Sequence, residues 1–250
     1  MRRNLTGIRS GRTSRLLAFR SLLFVPAYDP ARLTAAFGSG ADAVVADLED
    51  ATPPDRKEEG RRVVAEVLAS VTGAARVVRV NAPETGLTPA DLDALAGLEL
   101  DALVLPKATP EAVAALGPAG PPMIAIVESA AGLRLAYETA ASPRVAALLL
   151  GALDLGADLR LEPRADALEL LYARSKIVAD SAAAGVRAPF DRVFTPVVDL
   201  PGLEADARFG RSLGFGGKGC THPGQPEVVN RVFATGDVSL ADAKAAVFER

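Results

Sequence analysis

The sequence predicts an α/β fold, a single-domain (β/α)8 TIM barrel, on three observations. From residue 21 onward, short Val/Leu/Ile runs alternate with longer Ala/Leu/Arg/Glu segments of helical spacing. There are eight such runs, and most are apolar throughout rather than alternating, as parallel strands covered on both faces are.

The runs begin at Ser21 (SLLFVPA), Asp42 (DAVVADLED), Arg76 (RVVRVNA), Asp101 (DALVLPKA), Met123 (MIAIVES), Val145 (VAALLLGALDL), Arg192 (RVFTPVV) and Gly214 (GFGGKGCTH). Their starts lie 21, 34, 25, 22, 22, 47 and 22 residues apart, mostly the length of one βα unit, with one longer connection after the sixth. Helix punctuation falls between them. Asp29 and Pro30 read as an N-cap and first-turn proline, and Gly38 and Gly40 as stops. Asp55 precedes a helix over 56–70 whose Val63, Val64, Val67 and Leu68 form one stripe. Thr88 precedes Pro89 and Asp91, and the segment 168–184 ends at Gly185. An open doubly wound sheet would place a glycine-rich phosphate loop after its first strand; here that loop reads VPAYDP.

The domain expected is a barrel over 20–236, preceded by a basic tail over 1–19 and followed by a short C-terminal helix over 237–250. The first twenty residues carry six arginines and no acid, the composition of a solvated tail. With 49% hydrophobic and 24% charged residues the chain can bury a core, and a formal charge of −3 gives no broad positive field for nucleic acid. One cysteine, Cys220, excludes an internal disulfide, and with His222 the only histidine no His/Cys zinc cage can form. Any metal must rest on oxygens. The longest uncharged stretch, 16 residues from Ala112 to Val127, contains three prolines and cannot span a bilayer as a helix. These features lead to the expectation of a soluble, cytoplasmic protein.

Charges fall where apolar runs stop, at the carboxyl ends of strands where barrel enzymes keep their chemistry: Asp47, Glu49 and Asp50; Arg79 and Asn81; Lys107; Glu128; Asp154; Lys218 and His222. Glu128 and Asp154 lie on neighbouring strands. Side by side they either share a hard cation, Mg²⁺ by preference and Mn²⁺ as substitute, or cap the segments that follow them. Arg79, inside an apolar strand, meets a substrate anion or a barrel acid such as Asp47, two compatible uses because such a pair would orient the fork. Lys107 reads as a Schiff-base nucleophile or, with acids nearby, as a paired ammonium. His222 reads as a base or a lining group, Cys220 as a small core residue, and Asp191 and Asp199 as loop and turn residues.

Taken together, RSLLFVPAYDPARL, DAVVADLEDATPPDRK, RVN, LPK, VESAAG, LLLGALDL, ARS at Arg174 and GFGGKGCTHPGQ resemble, in order and spacing, the citrate lyase β-subunit-like branch of the HpcH/HpaI aldolase and citrate lyase family. The resemblance covers about residues 20–234. It implies a Mg²⁺-dependent carbon–carbon lyase, or its Claisen-type reverse, acting on short 3-hydroxyacyl-CoA thioesters such as citryl-CoA or malyl-CoA types, with CoA as part of the substrate and a keto acid released. Position by position, it makes Glu128 and Asp154 the metal ligands and Arg79 the group that takes the substrate carboxylate and enolate. It sets Asp47 and Glu49 beside the metal, where they hold its waters or position Arg79, and puts Phe24 and the His222–Pro223 turn at the CoA mouth; the base expected is a metal-bound water steered by Asp47 or Glu49. Asp50, where pyruvate aldolases carry a histidine, favours the CoA-linked branch. Tyr28 and Asp29 replace the basic or amide residue with which relatives meet the CoA phosphates. Relatives commonly continue into a GK-x-x-D stretch that lends an acid to a neighbouring subunit; the sequence ends at Arg250 without one, so cleavage or condensation is expected over thioester hydrolysis. The alternatives are a CoA-independent aldolase releasing pyruvate from a 2-keto-4-hydroxy acid, and a subunit that needs a citrate lyase α-subunit and an acyl carrier protein. A homotrimer or hexamer is expected.

Overall fold

The computed structural model describes residues 18–234; residues 1–17 of the expected tail and the expected helix at 237–250 lie outside them. Eight strands, β1 (Ser21–Pro26), β2 (Ala43–Asp47), β3 (Ala75–Arg79), β4 (Ala102–Leu105), β5 (Met123–Val127), β6 (Val145–Leu150), β7 (Phe190–Asp191) and β8 (Gly217–Cys220), close into one barrel in sequence order. Every pairing is parallel, and β8 returns to β1 through Ser21 opposite Lys218. The (β/α)8 expectation holds.

The two-residue period of a strand sorts side chains into two layers. Leu22, Val45, Val77, Val104, Ile124, Ile126, Leu149 and Phe190 fill the barrel interior. Leu23, Val44, Val78, Leu103, Ala125 and Leu148 point outward into the larger layer beneath the helices. Phe19, the last residue but one before β1, is buried in the inner layer.

The punctuation read from the sequence is formed in part: Asp29 and Gly185 close helix ends, whereas Asp55 lies in a 3₁₀ turn and Thr88 is a first helical residue whose hydroxyl donates to Asn81 O rather than capping. In α1 (Pro30–Ala36) the Asp29 side chain accepts from Arg32 N at 3.0 Å. A 3₁₀ turn at Pro54–Arg56 leads into α2 (Lys57–Leu68), which buries Val63, Val64, Val67 and Leu68 as expected. α3 (Thr88–Ala94), α4 (Pro110–Ala115), α5 (Ala130–Arg134), α6 (Ala136–Ala141) and α7 (Ala152–Asp158) follow. Then come α8 (Leu171–Ala184), closed by Gly185 at φ 73°, α9 (Leu200–Leu213), capped by Asp199, and α10 (Pro226–Phe233). Among the described residues no helix is long and apolar enough to cross a membrane.

The seventh strand departs from expectation. The run RVFTPVV is not the strand; β7 is the two residues before it, Phe190–Asp191, and Val198 is 87% exposed. Pro196 cannot donate to a ladder, whereas Phe190 plugs the barrel interior. Asp191 is therefore no turn residue. It is fully buried in the outer layer with Arg174 of α8 (Nη2–Oδ2 2.7 Å) and Lys218 of β8 (Nζ–Oδ2 3.1 Å), and Asp206 of α9 joins both cations (2.8 and 2.6 Å). Three elements are thus pinned to the shortest strand by a buried ion cluster, in which removing one partner costs about 3–5 kcal/mol.

Candidate active site

Inward parity builds the mouth of the barrel. Counting on from the interior residues, Leu22 leads to Phe24, Val45 to Asp47, Val77 to Arg79, Ile126 to Glu128 and Leu149 to Gly151. Phe24, Asp47, Asp50, Arg79, Glu128, Gly151 and Asp154 all line one cavity of about 400 Å³, whose apolar floor is Ile126, Leu149 and Val193. A larger recess of about 810 Å³ on the outer side of α7 contains none of these charged residues, and the two share only Ala152 and Leu153.

Asp47 and Arg79 are register partners on β2 and β3, so their side chains meet directly. Arg79 Nε donates to Asp47 Oδ1 at 2.7 Å and Nη2 to Oδ2 at 2.5 Å. Both oxygens also receive backbone donors, Glu49 N at 2.9 Å and Ala51 N at 3.2 Å. The remaining arm, Nη1, reaches Asp50 Oδ2 at 3.2 Å and lies 2.8 Å from Glu49 Oε2. The Glu49 contact is ionic rather than a directed hydrogen bond, and that buried oxygen has no donor. Burial opposes the Arg79 charge, but Asp47, Glu49 and Asp50 outweigh it and hold the guanidinium above its ordinary value. The Phe24 ring lies 5.4 Å from the guanidinium carbon. Of the two roles open to Arg79, the ion pair with Asp47 is formed, and it aims the fork at the cavity.

Glu128 follows the last residue of β5 and is not a cap; Ser129 caps α5 by accepting from Gly132 N at 3.0 Å. Its Oε1 accepts the Lys107 backbone N–H at 2.6 Å. No described residue donates to Oε2. Burial, followed by the repulsion of Asp154 and Asp50, outweighs that amide and Arg79 and pushes the Glu128 carboxyl up to about 7. Glu49 is pushed up to about 8, by burial first and then by Asp50, Glu128 and Asp47 against the pull of Arg79. Asp154 is not at the strand end, as the apolar run suggested: β6 stops at Leu150, and Asp154 stands exposed in the first turn of α7, facing the same cavity as Glu128.

Gly151 makes this arrangement sterically feasible, and sequence reasoning missed it. A Cβ there would lie 2.5 Å from Glu128 Cβ and 2.6 Å from its Oε2. The signal available was the interruption of the apolar run in LLLGALDL.

The other predicted residues fall elsewhere. The Lys107 side chain is exposed and pairs with no acid among the described residues; its contribution is the amide to Glu128, presented at φ 46°. This corrects both side-chain roles considered for it. His222 is exposed, its Nδ1 accepting Gly224 N at 3.2 Å, and it lines neither cavity; the adjacent Pro223 borders a recess of about 110 Å³ with Phe24, Arg32 and Thr221. Cys220 is core, its thiol pushed up to about 12 by burial.

The donor set fits a hard divalent cation. Among the described residues four carboxylates line the cavity against Arg79 and Arg32, no residue donates to Glu128 Oε2, and no imidazole or thiolate is in the lining. Among the described residues no three His, Cys, Asp or Glu form a metal cage, so the pair Glu128 and Asp154 would leave positions for water and substrate oxygens.

The family model for HpcH/HpaI aldolase/citrate lyase matches residues 20–223. A (3S)-malyl-CoA thioesterase of Cereibacter sphaeroides is 37% identical over 92% of this chain and 83% of its own length. Among solved structures, a citrate lyase beta subunit of M. tuberculosis complexed with oxaloacetate and magnesium superposes with a TM-score of 0.80 at 34% identity, covering 88% of this chain and 100% of that one. The protein CitE of Mycobacterium tuberculosis in complex with magnesium, acetoacetate and coenzyme A gives 0.80 at 33% identity, covering 92% and 87%.

Proposed function

Because the chain belongs to the HpcH/HpaI aldolase/citrate lyase family, we propose that it is a Mg²⁺-dependent carbon–carbon lyase for a short 3-hydroxyacyl-CoA of the malyl-CoA or citryl-CoA type. The observation that carries this reading is the pairing, in one cavity, of a donor-free Glu128 oxygen and Asp154 with a guanidinium already fixed by Asp47.

Glu128 and Asp154 would hold the ion, which when bound supplies Lewis-acid stabilisation of the hydroxyl oxygen as it becomes a carbonyl. Arg79 receives the carboxylate of the keto acid half, Nη1 exchanging its contacts with Glu49 and Asp50 for the substrate. Asp47 cannot move protons without releasing four donors, so it acts as the clamp on Arg79. Glu49, which stands against Arg79 Nη1 and does not itself line the cavity, would pass the proton through a water, its carboxyl being pushed up to about 8 by burial. In cleavage the hydroxyl loses its proton, the bond between the hydroxyl-bearing and α-carbons breaks, and the keto acid leaves. The resulting acetyl-CoA enolate takes a proton at carbon. Phe24, Ile126, Leu149 and Val193 keep the bond-breaking region dry. At the mouth, Arg32 has no acid partner among the described residues and borders both the site and the recess beside Pro223, where the CoA half would lie. His222, outside the lining, would contact only the distal part of CoA.

The test is to supply malyl-CoA and citryl-CoA with Mg²⁺ and separate the products. Lyase chemistry gives glyoxylate or oxaloacetate with the acetyl thioester intact, and hydrolysis gives free thiol; the thioesterase relative makes hydrolysis the second reading. Turnover of a 2-keto-4-hydroxy acid with no response to CoA would establish the aldolase instead. Turnover of free CoA esters by the chain alone excludes a need for a citrate lyase α-subunit or acyl carrier protein, and light scattering decides the trimer or hexamer.

A further inference from the structure

We infer that Lys57 is a positioning residue that fixes the 47–50 turn against Arg79, and so sets the orientation of the guanidinium that receives the keto acid carboxylate; this rests on the reading of the site proposed above. Lys57 is the first residue of α2, a position where a cation opposes the helix dipole. No carboxylate pairs with it among the described residues. Its three ammonium donors are instead all spent on neutral oxygens: Leu48 O at 2.7 Å, Glu49 O at 2.7 Å and Asn81 Oδ1 at 2.8 Å. Those acceptors flank Arg79 on both sides. Leu48 and Glu49 form the backbone of the turn whose Asp47, Glu49 and Asp50 side chains hold the guanidinium. Asn81 stands two residues beyond Arg79 on the same chain segment.

The clamp has a rigid footing. Asn81 N and Nδ2 both donate to Asp91 Oδ2 (2.7 and 2.8 Å), Thr88 Oγ1 donates to Asn81 O (2.8 Å), and Arg61 Nε donates to Asp91 Oδ1 (2.8 Å). Helices α2 and α3 are thereby tied to the turn through one ammonium. Burial holds Lys57 below its ordinary value, with Asp47 and Glu49 pulling the other way, so the group is held in place despite desolvation. Without it the turn keeps Thr52 N on Glu49 O at 3.1 Å and Thr52 Oγ1 on Asp47 O at 2.6 Å, so the fold persists while the Glu49 side chain gains freedom relative to Arg79.

The experiment is Lys57→Cys followed by alkylation with 2-bromoethylamine, which restores an ammonium on a chain of the same length; the native Cys220 is fully buried and out of reach. Oxaloacetate affinity is measured with Mg²⁺ present, with amide exchange over residues 48–52 and Tm measured on the metal-free protein. Lys57→Cys is expected to fold with Tm close to wild type, to bind oxaloacetate about tenfold or more weakly, the scale of one charge-assisted hydrogen bond lost at the guanidinium, and to exchange the Glu49, Ala51 and Thr52 amides faster. Alkylation should recover most of the affinity. Folded Lys57→Cys or Lys57→Met with wild-type affinity overturns the inference, as does alkylation that restores Tm without restoring affinity. Failure of both variants to fold overturns it in favour of a purely structural lysine. A wild-type protein that does not bind oxaloacetate with Mg²⁺ sinks the proposed function instead, while amide exchange still reports on the clamp.

Discussion

Gly151→Ala adds a single methyl group at the point where the site has least room. That carbon would sit 2.5 Å from Glu128 Cβ, 2.6 Å from Glu128 Oε2 and 2.7 Å from Ile126 Cγ2. Carbon atoms in good contact lie about 3.5–4.0 Å apart, so three groups must each give way by roughly 1 Å. The backbone has little freedom to yield, because Gly151 N continues the ladder to Val127 O at 3.0 Å. Overpacking of this kind costs about 1–3 kcal/mol, which in a domain of this size lowers Tm by about 2–12 °C. The larger effect falls on Glu128. Its carboxylate must leave the Lys107 amide at 2.6 Å, and if Glu128 holds the ion as proposed, a shift of about 1 Å costs on the order of 10²-fold in turnover. Thermal unfolding and steady-state kinetics on malyl-CoA, with Mg²⁺ varied, measure both. A variant with Tm within about 1 °C and kcat/KM within about twofold of wild type refutes the packing argument.

Lys107→Gly keeps the amide and relieves the positive φ, so activity should stay within about threefold, whereas Lys107→Pro removes the donor and requires φ near −65° and should be inactive; an inactive glycine variant would return the ammonium to the chemistry. Asp47→Ala leaves Arg79 with only Glu49 and Asp50 and should lose about 3–5 kcal/mol in denaturant unfolding, together with nearly all activity. Glu128 and Glu49, at about 7 and about 8 against an ordinary 4.5, make the metal-free folded chain bind more protons than the unfolded chain. The stability these two groups contribute should therefore be full below pH 4.5 and be lost as pH rises from there through 7 to 8, by on the order of a few kcal/mol. Because an ion on Glu128 competes with that proton, the Tm gain from Mg²⁺ should be larger at pH 8 than at pH 6, and a gain independent of pH would exclude Glu128 as a ligand.

Much of this was legible because the barrel couples two periodicities. Seven of the eight runs overlap strands and the remaining one, RVFTPVV, directly follows one, and strand parity then carried Asp47, Arg79 and Glu128 into the mouth, as their charges at run ends implied. Two details were illegible for different reasons. β7 is only two residues long, set by Phe190 filling the barrel and by Asp191 meeting Arg174 and Lys218, contacts remote in sequence that no local pattern marks. Lys107, Lys57 and Gly151 act through a backbone amide, through bonds to carbonyls and through the absence of a side chain. Residue type alone does not announce any of these roles. Asp154 shows a third limit: the run LLLGALDL reads as one strand, yet Gly151 ends it and the acid stands on a helix.

The most direct trial of the account is anomalous diffraction from crystals grown with Mn²⁺. One peak is expected in the barrel mouth within about 2.0–2.3 Å of a Glu128 oxygen and an Asp154 oxygen, lost in Glu128→Gln. A peak held by other groups, or wild-type turnover with no ion in that cavity, would contradict it.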